Sequence, residues 1–182
     1  MAGIAVHRRR EHLGMLGWRM PSIADLSPDE PVIVISRVFD APRELVFRAF
    51  TDPKHLAQFW GPKWTSAPVC QVDLRVGGAF RVDMRGPDGT IYPCTGVYRD
   101  IVEPELIVYD STTDDSNSCG GGLPPRSVIT MTFTALAGKT RLTIHTHLPS
   151  AAARAAAVAG GFNEGWNDSL DRLAELIAQS RH

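Results

Sequence analysis

The alternation of apolar and polar positions along the chain changes period several times, and each change marks an element. Val32-Ile33-Val34-Ile35-Ser36-Arg37-Val38-Phe39 is apolar and β-branched, the pattern of a strand. Asp40-Ala41-Pro42 then interrupts it, and Leu45, Val46, Ala49 and Phe50 recur at helical spacing. Pro42 suits a first helical turn, and Glu44 there meets the positive end of the helix dipole. Thr51-Asp52-Pro53 ends this helix and opens a second, with Asp52 as N-cap and Pro53 as first residue. Leu56, Phe59 and Trp60 form one face of the second helix, and Gly61-Pro62 stops it.

From there the period is two. A short strand is predicted over Val69 to Leu74. After Gly77-Gly78, Phe80, Val82 and Met84 alternate with Arg81, Asp83 and Arg85, so the charged set is expected to point outward. Gly86-Pro87-Asp88-Gly89 is a hairpin turn leading to a return strand over Tyr92 to Val102. Gly96 within it marks a bulge or a close approach. Leu106 to Asp110 follows, and Val128 to Ala135 with Thr140 to His147 makes a last hairpin. There Ile129, Met131 and Phe133 share one face, and Leu142 and Ile144 share another. Between the hairpins, Asp110 to Ser127 is polar and glycine-rich and reads as a long flexible loop. The Ala-rich stretch 151–159 favours helix and is broken by Gly160-Gly161. Phe162, Trp166, Leu170, Leu173 and Ile177 then form the apolar stripe of a long helix.

The order is strand, two short helices, about six consecutive strands, then a long helix. Consecutive strands with short turns form an antiparallel meander. Its apolar face needs cover, and the C-terminal helix is the one long element able to supply it. The expected fold is α+β: a curved antiparallel sheet of six or seven strands wrapped around that helix, with interior space between them.

Composition changes the picture mainly by exclusion. A chain of 182 residues has room for one domain, taken as residues 31–180, behind an N-terminal extension over 1–30. The extension is too short to be a domain of its own, and Met20 offers an alternative start. The net charge of −1 argues against nucleic acid as a partner, which requires a basic face. No apolar run reaches the roughly 20 residues of a membrane span. His7-Arg8-Arg9-Arg10 is followed by no apolar segment, so an export signal is not expected. Cys70, Cys94 and Cys119 are widely spaced and odd in number, which suits reduced thiols and a cytoplasmic location.

Six short motifs in this order resemble the SRPBCC superfamily, also called the START-like or helix-grip fold. They are Arg37-Val38-Phe39-Asp40-Ala41-Pro42 with Val46-Phe47, Thr51-Asp52-Pro53, Phe59-Trp60-Gly61-Pro62, Asp73-Leu74-Arg75-Val76-Gly77-Gly78, Pro87-Asp88-Gly89, and Gly165-Trp166 with Leu170-Asp171-Arg172-Leu173. Within that superfamily they look most like the homologues of the heat-shock-protein-90 ATPase activator. The resemblance implies a cavity between sheet and C-terminal helix that accepts a small apolar or amphipathic molecule. It also allows a chaperone ATPase as partner, a homodimer, and a role in stress response. It carries no shared catalytic residues and no cofactor, since such folds host many functions.

The side chains placed on inward faces are the candidate ligand-binding set. Phe47, Phe50, Phe59 and Trp60 come from the short helices, with Trp64 just beyond them. Phe80, Val82, Met84, Tyr98, Tyr109, Met131 and Phe133 come from the strands. Phe162, Trp166 and Leu170 come from the long helix. Ligand sites are concave and mostly apolar with a few polar groups; plain core packing is the alternative for each residue. The cavity mouth is expected near Trp60, Trp64 and the loop at 110–127.

The remaining chemistry is sparse. His145 and His147 have metal-like spacing but no evident third ligand, and both fall out of phase with Leu142 and Ile144, so they are expected to face solvent. Cys70 and Cys94 read as buried inert thiols and Cys119 as an exposed one. Gly77-Gly78 and Gly120-Gly121-Gly122 match no phosphate loop. Asp73 and Arg75 are expected to pair locally. Asp110, Asn163 and Glu164 are the side chains that could reach the mouth, a thin basis for a cyclase, dehydratase or hydrolase. Binding is the first reading, partner activation the second and catalysis the third.

Overall fold

A computed structural model describes residues 30–113 and 124–180. The expectations for residues 1–19, Cys119 and Gly120-Gly121-Gly122 fall outside the described residues. The elements are β1 (Val32–Phe39), α1 (Arg43–Thr51), α2 (Pro53–Phe59), β2 (Ser66–Val72), β3 (Ala79–Arg85), β4 (Ile91–Val102), β5 (Leu106–Ser111), β6 (Val128–Leu136), β7 (Lys139–His147), α3 (Ala151–Ala159) and α4 (Phe162–Gln179). The seven strands form one antiparallel sheet in the order β1-β7-β6-β5-β4-β3-β2. This curled sheet around a long terminal helix is the α+β helix-grip fold.

Local chemistry explains the boundaries. The Asp52 carboxylate accepts the Lys54 backbone N–H at 2.8 Å, so one residue closes α1 and caps α2. Ser150 caps α3 through the Ala153 N–H. Gly161, at φ +87°, takes the left-handed conformation that turns α3 into α4. β2 starts three residues earlier than expected, at Ser66, after which its register shifts before Val69. It also ends sooner, and Leu74 lies exposed in the turn. A turn with an apolar residue reads as strand from composition; the backbone hydrogen bonds of Asp73, Arg75 and Gly78 close it instead.

Register assigns the faces. Phe133 sits opposite Leu142 and Met131 opposite Ile144, so the two apolar sets of the last hairpin share one concave face. Tyr98 opposite Tyr109 continues it. The α4 stripe of Phe162, Trp166, Leu170, Leu173 and Ile177 is buried against this layer. Gly96 is the close approach: a Cβ there would stand 2.4 Å from the Phe80 ring and 2.9 Å from the Asp110 carbonyl oxygen. The Phe80 ring occupies the space a side chain would take, while the strand irregularity falls later, between Tyr98 and Asp100.

The solvent exposure expected of the two histidines needs correction. His145 and His147 do lie on the convex side, but His145 is only 4% exposed and His147 is half-buried. β7 is an inner strand, and Val34 and Thr130 flank His145 from both neighbours. Asp83 is likewise outward yet buried, because Arg81 folds over it with hydrogen bonds of 2.8 and 3.0 Å.

Gly96→Ala is expected to destabilise the fold by about 1–3 kcal/mol, since the ring and a backbone oxygen must both move; denaturant unfolding measures it. Burial first, then His145, holds the His147 imidazole below its ordinary 6.5, with Glu30 opposing. The unfolded chain therefore binds this proton more readily, so stability falls as pH drops below 6.5. Unfolding midpoints measured from pH 7.5 to 5 should fall, and less steeply in His147→Gln.

Candidate functional site

The concave layer and the short helices do not close completely. Phe50 from α1, Leu56 from α2 and Trp60 at its C-cap face Phe80, Tyr98, Ile107, Tyr109 and Met131 of the sheet. The cavity among them is about 10 Å³. That is space for about one water. The rings meet edge to face: Phe80 and Tyr109 at 4.8 Å, Trp60 and Trp166 at 5.3 Å, Phe50 and Phe59 at 5.1 Å. Such contacts fix ring orientation beyond simple area burial.

One wall of this gap is a loop, and α4 holds it. The Gly61 N–H donates to the Ser169 hydroxyl at 3.0 Å, and that hydroxyl donates to the Gly165 carbonyl at 2.9 Å. The Arg172 guanidinium donates to the carbonyls of Gln58, Gly61, Pro62 and Thr65, satisfying the exposed end of α2. Burial lowers its proton affinity from the ordinary guanidinium value. Lys63 adds a backbone bond to Asp168 and a 3.0 Å ion pair with Asp171, which also meets Arg37. The Arg37 and Lys63 hydrogen bonds hold the Asp171 carboxyl below the usual carboxylate range.

Phe50, Trp60, Phe80, Tyr98, Tyr109 and Met131, predicted from phase, line the gap. Phe47, Phe59, Val82, Met84, Phe133, Phe162, Trp166 and Leu170 are buried around it in the core. Trp166 stands one ring away, behind Trp60. The lining draws on α1, α2 and the sheet, so the space lies nearer the short helices than the long one. Trp64 is 52% exposed, packed on Tyr92 at 6.0 Å, outside the lining. Leu56 and Ile107 line the gap without having been singled out as ligand-binding. Ser169 and Arg172 were also missed as positioning groups. The available signal was Ser169 itself, a polar residue three beyond Trp166 on the buried stripe.

The electrostatics favour neutral groups. Burial raises the Tyr98 and Tyr109 phenols and pushes the Cys70 thiol up to about 11. Asp110 points to the convex side, opposite in phase to Tyr109, and pairs with Arg99 at 2.8 Å, so it does not reach the gap. Glu164 is exposed in the first turn of α4 and Asn163 is half-buried. Asp73 pairs with Arg75 at 2.9 Å. Among the described residues no group of three His, Cys, Asp or Glu side chains could hold a metal ion, and no helix is long and apolar enough to cross a membrane.

Known proteins share this fold. The family model described as Activator of Hsp90 ATPase homolog 1-like protein matches residues 40–178. A crystal structure of a protein from Chromobacterium violaceum is 31% identical, with a TM-score of 0.67 over 81% of this chain and 96% of that one. One from Nitrosomonas europaea is 26% identical, with a TM-score of 0.73 over 82% and 96%. The AHSA1 protein from Silicibacter pomeroyi, 22% identical with a TM-score of 0.65 over 82% and 99%, shows the same fold. No curated protein matches the chain.

The loop clamp yields an expected outcome. Ser169→Ala strands a buried backbone N–H and should cost about 1–3 kcal/mol. Arg172→Lys keeps the charge but loses the planar fork, and should destabilise nearly as much as Arg172→Ala. Chemical denaturation followed by tryptophan emission reads both.

Proposed function

This chain belongs to the family of Activator of Hsp90 ATPase homolog 1-like proteins, and from that premise we propose that it binds a small apolar or amphipathic molecule in the gap between the short helices and the sheet. The observation that carries the reading is the gap itself, an opening lined by eight apolar or aromatic side chains. Affinity comes from apolar area removed from water, at ~25 cal/mol per Å² before the entropy of association is subtracted. Entry requires side chains to move apart, because the free space holds little more than a water. Met131 and Leu56 are unbranched at Cβ and can change rotamer more readily than β-branched residues. Trp60 reports on entry, since its indole forms part of the wall.

A second reading rests on the family match: an exterior face engages a chaperone ATPase and stimulates it. The two readings separate in a direct comparison. N-phenyl-1-naphthylamine added to the purified chain is expected to gain fluorescence and to quench tryptophan emission, with the response weakened severalfold in Leu56→Trp, which fills the gap. Absence of any response in the folded wild-type chain would sink the binding reading. A rise in ATP turnover of a purified Hsp90-type ATPase on adding the chain, unchanged in Leu56→Trp, would establish the partner reading in its place.

A further inference from the structure

Tyr109 is the one lining residue whose chemistry does not match its surroundings. It is 3% exposed, and its hydroxyl has no hydrogen-bond partner among the described residues. Buried polar groups almost always find a partner, so an orphan of this kind calls for an explanation. Packing alone does not call for it. Phe50, Phe80 and Phe133 fill neighbouring positions in the same core, and a phenylalanine at 109 would make the same ring contacts without the cost of an unpaired hydroxyl.

The hydroxyl's direction follows from the strand. Tyr109 stands on the concave face beside Tyr98, and side chains rise from a sheet roughly perpendicular to it. Its oxygen is therefore the part of the side chain farthest from β5, on the side of the gap that Phe50, Leu56 and Trp60 close. A resident water is a poor substitute. A buried water wants about two to four polar partners, and the lining offers it only the two phenols and the Trp60 indole N–H, the rest being hydrocarbon, aromatic or thioether.

We infer that Tyr109 is the polar anchor of the gap, donating its hydroxyl proton to an uncharged acceptor on the ligand, a carbonyl of the ketone, lactone or quinone class carried on an apolar body. This rests on the binding reading above. The acceptor is uncharged because no lining residue is cationic, so a carboxylate or phosphate buried there would go unpaired. The donor is a neutral phenol because burial holds the tyrosine proton on.

The test compares 2-acetylnaphthalene with 2-isopropylnaphthalene, a hydrocarbon of the same shape, by calorimetry on the wild-type chain and on Tyr109→Phe. The substitution is expected to weaken the ketone roughly five- to tenfold and to leave the hydrocarbon within about twofold. The ligand-free variant is expected to melt at the same temperature as wild type or higher, because an unsatisfied group has been removed. Equal ketone affinity in both chains would overturn the anchor while leaving the binding reading intact. A lower melting temperature would also overturn it, by showing that the hydroxyl already has a partner in the free protein. If neither naphthalene binds the wild-type chain, the anchor and the binding reading fall together.

Discussion

The structure depends on one burial: the apolar stripe of α4 against the concave face of a curled sheet. Phe162, Trp166, Leu170, Leu173 and Ile177 cannot be satisfied by any other described surface, and the sheet's inner face needs a cover of that length. An antiparallel meander supplies the surface cheaply in topology, since each strand pairs with its sequence neighbour except where β1 closes on β7. Once α4 is seated, its polar flank is placed too. Ser169 and Arg172 then reach the loop after α2, and the short helices are pinned over the open end of the concave face.

This arrangement sets what the interior can offer. A second small gap lies where α1 and α2 meet the C-terminal half of α4, among Leu45, Ala49, His55, Leu173 and Ile177; the candidate site lies beneath Trp60 rather than beneath Trp166. The wall there is a seven-residue helix and a loop held by hydrogen bonds at its edge. Such a wall opens at lower cost than the core of an 18-residue helix buried along a full stripe.

The polar groups near the gap obey the same logic. Charged side chains on the strands turn to the convex side, where Arg99 meets Asp110 and Arg81 covers Asp83. The concave side keeps phenols, thiols and rings, whose neutral forms burial favours. The candidate site thus presents apolar surface with neutral hydrogen-bonding groups and no charge.

Much of this was legible from the order of residues. Period two from Phe80 to Met84, the capping pair Asp52-Pro53 and the stripe of Phe162 to Ile177 each encode a local preference that neighbours reinforce, so elements, faces and fold class followed from the chain alone. Most of the gap's lining followed as well, because phase puts Tyr98, Tyr109 and Met131 on one side. What the chain could not state is which of those inward residues touch each other and which leave room. Trp64 and Trp60 flank the same Gly-Pro pair, yet one lies exposed on Tyr92 and the other is buried against Trp166. His145 has the phase of a solvated residue and is buried between two neighbouring strands. The reach of Arg172 across more than a hundred residues to four carbonyls has no local signature. Faces are set by dihedral periodicity, a property of a few consecutive residues; voids, clamps and orphaned hydroxyls arise only when distant faces meet, and tertiary packing alone decides them.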